Sequence, residues 1–253
     1  YEPPMHVQYE MFLDKGGKKI SKSKGNVLAP QVWFKYASPR SMVLLTLKRF
    51  VGTRNISMVD IPRYMDELDD LENVYFDRKR IEDARERTKL TGLYKYCWFM
   101  RPPETPSVHV PYNLLIGLAK VAPRGSEGSF IMAKLRYYGY VKDSISADLV
   151  TRTGYALNWA EDFKEAIGTQ VELSSEERSA VEQLIQALGS PGEAEAIQSS
   201  IFDIARRTGV KPKRFFEVLY LLLLGTPYGP RLGPYIADLG RENTLQSLSR
   251  NLK

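Results

Sequence analysis

The sequence predicts a mainly α-helical protein entered through one short strand and an exposed loop. Three observations carry that expectation. Apolar residues recur at three- and four-residue spacing through most of the chain, prolines repeatedly stand where helices begin, and the one strand-like run is Tyr9 to Leu13.

In chain order, residues 1–28 hold paired prolines, the strand-like Tyr9-Glu10-Met11-Phe12-Leu13, and a glycine-lysine-serine loop from Gly16 to Asn26. Pro30 and Pro39 each mark a first helical turn, Pro39 behind a Ser38 N-cap. Ser41 to Phe50 is apolar enough for a buried helix. Pro62 opens the next, whose buried stripe is Leu68, Leu71, Val74 and Tyr75 among acidic residues. A charged stretch, Asp77 to Lys89, follows. The segment Arg101 to Val110, with prolines at 102, 103 and 106, reads as a connection, so the expected domains are 1–106 and 107–253.

Beyond it, periodicity gives about six amphipathic segments: Tyr112–Val121, Ser129–Tyr138, Ala147–Ile167, Ser174–Leu188, Gly192–Thr208 and Pro212–Leu224. Ser174 with Glu177 fits a capping box. The second domain is therefore expected to be all-helical. Phe215, Phe216 and Tyr220 on an apolar helix face, and Trp159 beside Leu157 and Phe163, read as core.

A length of 253 residues suffices for one large or two ordinary domains. The single cysteine, Cys97, excludes an intramolecular disulfide and suits a reducing cytosol. His6 and His109 lie far from it in sequence, so no metal centre is expected. The longest apolar run, Val218 to Leu224, is too short to span a bilayer, and a cytoplasmic protein is expected. The opening Tyr-Glu-Pro-Pro lacks the basic and apolar regions of a signal peptide and reads as the cut end of a longer protein.

Charge is unevenly spread. Residues 1–60 carry ten Lys/Arg against four Asp/Glu, residues 161–203 two against ten, and residues 204–253 nine against three. Basic ends around an acidic middle suit a protein that offers chosen faces to a polyanion.

The residues that carry chemistry are Lys18-Lys19-Ile20-Ser21-Lys22-Ser23-Lys24-Gly25-Asn26-Val27. This run resembles the second signature, or KMSKS-type, loop of class I aminoacyl-tRNA synthetases, with Ile20 where methionine is usual. That exchange keeps an apolar anchor of similar size. The resemblance implies displacement of pyrophosphate from ATP, which requires charge to be held as the bond breaks, and a mobile loop with ammonium groups and hydroxyl donors can close on it in the transition state. By the resemblance, Lys19 and Lys22 contact the ATP phosphates, Lys22 foremost, while Ser21 and Ser23 shape the loop and supply donors.

Over almost the whole chain the resemblance is closest to class I lysyl-tRNA synthetases, the form of archaea and some bacteria. It rests on Glu2-Pro3-Pro4 leading through Tyr9-Glu10 into the loop, on Ala156-Leu157-Asn158-Trp159, and on Tyr228-Gly229-Pro230-Arg231-Leu232-Gly233-Pro234-Tyr235-Ile236. Glutamyl-tRNA synthetase is the nearest alternative, and a free-standing helical RNA-binding module is a second. The resemblance implies a loop and stem-contact region at 1–106 and a helical anticodon domain, an α-helix cage, at 107–253. Its partners would be tRNA(Lys), with lysine, ATP and Mg2+ in the complete enzyme, acting as a monomer. A catalytic domain bearing His-x-Gly-His is implied too, and neither His6 nor His109 lies in that pattern. This stretch alone is therefore expected to hold no cofactor and to be inactive.

Loop bases are read by stacking on aromatic or Arg planes and by hydrogen bonds to base edges. The candidates for this work are Lys211, Lys213 and Arg214 at a helix start, then Tyr228, Arg231 and Tyr235. The pairs Gly229-Pro230 and Gly233-Pro234 are expected to stiffen the segment and present Arg231 in one direction. Arg136, beside Tyr137-Tyr138, is a second candidate.

Overall fold

A computed structural model describes residues 3, 12–14, 16–20, 29–49, 52–142, 144–163, 171–189, 193–250 and 252. The chain divides into two compact units, Tyr1–Ser107 and Val108–Lys253.

In the first unit, β1 (Phe12–Leu13) lies parallel to β2 (Arg54–Asn55), Phe12 opposite Arg54. Between them come α1 (Pro30–Phe34) and α2 (Pro39–Leu47), and after a 3-10 turn (Met58–Asp60) come α3 (Ile61–Tyr75) and α4 (Ala84–Cys97). Ser38 caps α2 as expected, its side chain accepting from the Ser41 N–H. Ser41 Oγ in turn donates to the Ser38 carbonyl at 2.6 Å and accepts from the buried Trp33 indole at 2.9 Å. The cap thus also supplies the polar partner that a buried Trp needs. Helices α2, α3 and α4 pack together, joining Leu44, Leu71, Tyr94 and Cys97 in one cluster. Leu68, Leu71 and Tyr75 of the predicted α3 stripe belong to it or pack against it, and Val74 is buried as well.

Helix α4 lies partly in what the sequence shows as a charged stretch. Its first turns are polar, and its apolar residues Leu90, Leu93, Tyr94 and Cys97 fall at helical spacing only in its second half. Asp83 starts it, accepting from the Arg85 and Glu86 N–H groups. The buried Glu72 carboxylate then ties the unit's end in place. It accepts from the Tyr94 hydroxyl at 2.8 Å and from the Ser107 N–H and hydroxyl, each at 2.6 Å. Burial, then the Glu72 carboxylate, push the Tyr94 phenol well above its ordinary range, and burial raises the Cys97 thiol to about 11. Cys97 is accordingly an inert core thiol.

The second unit is all-helical among its described residues: α5 (Tyr112–Val121), α6 (Glu127–Tyr137), α7 (Ala147–Asp162), α8 (Ser175–Ala187), α9 (Ala194–Thr208), α10 (Pro212–Leu224), α11 (Leu232–Leu239) and α12 (Arg241–Ser249). Helix α5 is buried from Tyr112 to Leu118, and its Asn113 amide donates to the Leu224 carbonyl at 3.0 Å, where Gly225 ends α10 with φ 75°. That left-handed position suits glycine, and it leaves the last carbonyls of α10 open to such a donor.

Several elements differ from the sequence expectation. Helix α6 begins at Glu127, and α7 stops at Asp162 because Phe163 is extended. Helix α12 was not expected, and α11 stands where a stiffened loop was expected. Pro234 is the third residue of α11, in the first turn, where backbone N–H groups have no intrahelical acceptor to lose. Its Gly-Pro pair marks a helix start. Gly233 lets α11 lie close against α9, its N–H donating to Gln198 Oε1 at 2.8 Å.

Candidate nucleic-acid interface

The entry to the lysine-serine loop is a tight hairpin. Asp14 Oδ1 accepts from the Gly16 and Lys18 N–H groups, both at 2.9 Å, and Leu13 bridges antiparallel to Lys19. The Ile20 N–H reaches back to the Phe12 carbonyl at 3.4 Å. Ile20 is half-buried while Lys18 and Lys19 are exposed. The other end of the small sheet is held by Arg54, whose guanidinium donates to the Leu45 and Thr46 carbonyls at the end of α2. Lys19 is thus delivered on a braced backbone. Ser21, Lys22 and Ser23 lie outside the described residues.

In the second unit the candidate residues separate into two groups. Lys211 and Lys213 stand exposed at the start of α10, and Tyr228 is 55% exposed beyond its end. Arg136 is exposed next to Tyr137, whose ring also faces solvent. These can meet an RNA directly.

The other three have partners within the fold. Tyr235 is a correction: its ring is fully buried, edge-on to Tyr138 at 6.4 Å, and offers no face to a base. The Gly-Pro reading placed it in a loop, whereas α11 turns it inward. Arg214 donates to Glu177 Oε1 at 2.7 Å, and Arg231 grips both Glu195 oxygens, at 2.8 and 2.6 Å. The Arg231 pair is exposed on both sides, so it contributes at most about 1 kcal/mol and can open to a competing phosphate. Asp238, near Arg231 in sequence, is engaged elsewhere, by Lys134 at 2.6 Å and by the Tyr138 hydroxyl. Tyr138 therefore belongs to the α6–α11 contact, and only Tyr137 of that pair points outward.

Glu177 unites a cap and an ion pair. Its carboxylate accepts from the Ser174 N–H while the Ser174 hydroxyl accepts from the Glu177 N–H, the predicted capping box. Burial pushes this carboxyl up, but the Ser174 N–H and the Arg214 guanidinium outweigh it and hold the pKa below the ordinary glutamate value. With the folded value depressed, its stabilisation is complete above the unfolded pKa near about 4.3 and is lost as pH falls through the folded value. Glu177→Ala is expected to cost about 1–2 kcal/mol at neutral pH, read by thermal melting, and the deficit should shrink in acid. A deficit that persists unchanged in acid would mean packing, not charge, is what Glu177 supplies.

Sequence reading missed one feature, a groove of about 880 Å3 between the α5–α6 connection, the end of α7, and α12. Its lining includes Lys120, Arg124, Phe163, Asn243 and Gln246, together with the carboxylates Glu127 and Glu161. Behind them Trp159, core as expected, stacks on Phe163 at 5.2 Å with Lys120 over its ring at 5.7 Å. Three segments distant in sequence build this groove, so no local pattern announces it. Amides and an aromatic face suit an unpaired base, while Glu127 and Glu161 offset the charge of Lys120 and Arg124.

Among the described residues no group of His, Cys, Asp and Glu is arranged to hold a metal ion, and no helix is long and apolar enough to cross a membrane.

Residues 1–96 match the family model of class I tRNA synthetases (K), and residues 144–252 match that of an anticodon binding domain. The "Lysine--tRNA ligase" of Cenarchaeum symbiosum (strain A) is 40% identical over 240 residues, which cover 94% of this chain and 45% of that protein. The "Lysine--tRNA ligase" of Rickettsia bellii (strain OSU 85-389) is 29% identical over 256 residues, covering 99% of this chain and 48% of that protein. That of Rickettsia rickettsii (strain Sheila Smith) is 29% identical over 244 residues, covering 94% and 46%. The chain thus spans less than half the length of these curated relatives.

Proposed function

We propose that this chain is the tRNA-gripping part of a class I lysyl-tRNA synthetase, an enzyme that activates lysine with ATP and esterifies it to tRNA(Lys). The observation that carries this reading is the pairing, on one chain, of a class I synthetase match at 1–96 with an anticodon-domain match at 144–252. A free-standing RNA-binding module gives no reason for that pairing. The lysine-ligase relatives favour the lysyl reading over the glutamyl one.

Each unit then has its task. In the first, Lys19 and Lys22, with Ser21 and Ser23, would hold the ATP phosphates as pyrophosphate leaves, and Mg2+ would share their charge when bound. The braced hairpin supports this by presenting Lys18 and Lys19 outward one step before the loop. In the second, Lys211, Lys213, Tyr228 and Arg136, with the groove at Phe163, face the anticodon arm, and Arg231 can exchange Glu195 for a phosphate.

The 253-residue chain is expected to bind tRNA(Lys) with an affinity that falls steeply as salt rises, because neutralised phosphates release counterions. The same preparation should show no ATP–pyrophosphate exchange with lysine, since its sequence contains no His-x-Gly-His. Exchange activity would place the activating chemistry within these residues; tRNA binding indifferent to salt would remove the polyanion from the account.

A further inference from the structure

The C-terminal end of α4 is shaped in a way its residues do not favour. Past Cys97 and the capping Trp98, the Phe99 N–H donates to the Tyr96 carbonyl at 3.0 Å and the Met100 N–H to the Lys95 carbonyl at 2.8 Å. This is the bond pair of a Schellman turn, whose first residue beyond the cap is usually glycine because its backbone is left-handed. Here Phe99 takes φ 50° and Met100 φ 64°. Left-handed backbone is costly for residues with a Cβ, and two in succession persist only where the surroundings demand it.

The side chains so placed recover nothing by burial. Tyr96 is 61% exposed, Phe99 75% and Met100 60%. Beside them the Arg40 guanidinium lies over the Trp98 ring, 3.5 Å from its centroid, while Trp98 itself is tilted 6.2 Å from the buried Tyr94. From Lys89 to Pro103 the sequence has Lys89, Lys95 and Arg101 and no carboxylate. Strain and exposed apolar rings therefore coincide at one knob, with Lys95 and Arg101 beside it and the next carboxylate in sequence at Glu104.

We propose that this knob, Tyr96, Phe99 and Met100 with Arg40 stacked on Trp98, is a stacking surface for unpaired bases of the bound RNA. Base faces are apolar and find partners in exposed rings and guanidinium planes, while Lys95 and Arg101 meet the phosphates. The cations Arg40, Lys95 and Arg101 around the exposed rings favour a polyanion with apolar base faces over a protein partner. The inference rests on the tRNA-binding role proposed above.

The test titrates tRNA(Lys) with the 253-residue chain, with a Phe99→Ala/Met100→Ala double variant, and with Arg101→Ala, at several salt concentrations. The double variant should bind about 10- to 100-fold more weakly with its salt dependence unchanged, since it loses stacking and no phosphate contact. Arg101→Ala should bind more weakly and lower the salt slope by about 1. Phe99→Gly should melt higher, by about 2–4 °C, yet bind RNA more weakly, a split that a purely structural turn would not give. Wild-type affinity in the double variant overturns the proposal. So does wild-type affinity joined to loss of stability in the complete protein, which would make the knob a protein-packing face. Failure of the unaltered chain to bind tRNA at any salt would instead bring down the tRNA-binding role itself.

Discussion

Lys22→Ala in the complete enzyme is expected to lower the maximal rate of lysine activation by about 100- to 1,000-fold while the affinity for lysine barely moves. The reasoning starts from charge. Pyrophosphate departure concentrates negative charge on oxygens that carry less of it in bound ATP, so an ammonium reaching them late stabilises the transition state more than the ground state. Loss of one such oriented donor costs about that factor elsewhere. Lys22 is also the loop lysine that lies between two serines, Ser21 and Ser23. Steady-state exchange kinetics separate the alternatives, since an interaction made only in the transition state appears in the rate and not in lysine binding. Weaker lysine binding at an unchanged rate would place Lys22 in the amino acid pocket instead. Lys19→Ala should do less, because Lys19 stands where the hairpin still holds the backbone, bridged to Leu13.

Gly233→Ala is expected to destabilise the second unit by about 3 kcal/mol, the upper part of the usual cost of overpacking. A Cβ there would come within 2.2 Å of the Ala194 carbonyl oxygen and 2.8 Å of Gln198 Cβ, and the first of these is backbone that cannot swing aside. The N–H bond from Gly233 to Gln198 pins the same crossing, so moving α11 away breaks a buried hydrogen bond as well. For a domain of this size the loss corresponds to a fall of roughly 6–12 °C in Tm. Gly154→Ala in α7 is the control. Apart from its chain neighbours and its own helix backbone, nothing lies within 4 Å of its added Cβ, so melting should hold or rise slightly. Equal melting of the two variants would mean that α11 and α9 adjust freely, and the close approach would lose its meaning.

Sequence reading works for some features and stops at others. The role proposed for Lys22 comes from a contiguous run, Lys18 to Val27, that needs no tertiary contact to be noticed. The same holds for Ser38, for the Ser174–Glu177 box and for the proline-opened helices, whose signals lie within one turn. Gly233 was read as a stiff loop because Gly-Pro is local evidence for a turn, whereas its partner Gln198 lies on another helix. Arg214, Arg231 and Tyr235 fail as free recognition groups for the same reason. Their partners Glu177, Glu195 and Tyr138 are distant in sequence, and no periodicity reports which cation meets which carboxylate. Core aromatics such as Trp159 and Phe215 were recoverable because burial follows the helix stripe. The left-handed end of α4 was hidden for the opposite reason, since Phe99 stands where a sequence reader expects glycine.

The central claim is that the second unit reads the anticodon of tRNA(Lys), and one comparison tests it most directly. The affinity of the 253-residue chain is measured for tRNA(Lys) and for the same tRNA carrying a different anticodon, at one fixed salt concentration. The account predicts binding at least about 10-fold weaker for the altered tRNA, the loss of roughly one stacked or hydrogen-bonded base. Equal affinity for the two would contradict it, leaving a basic surface that holds RNA without reading it.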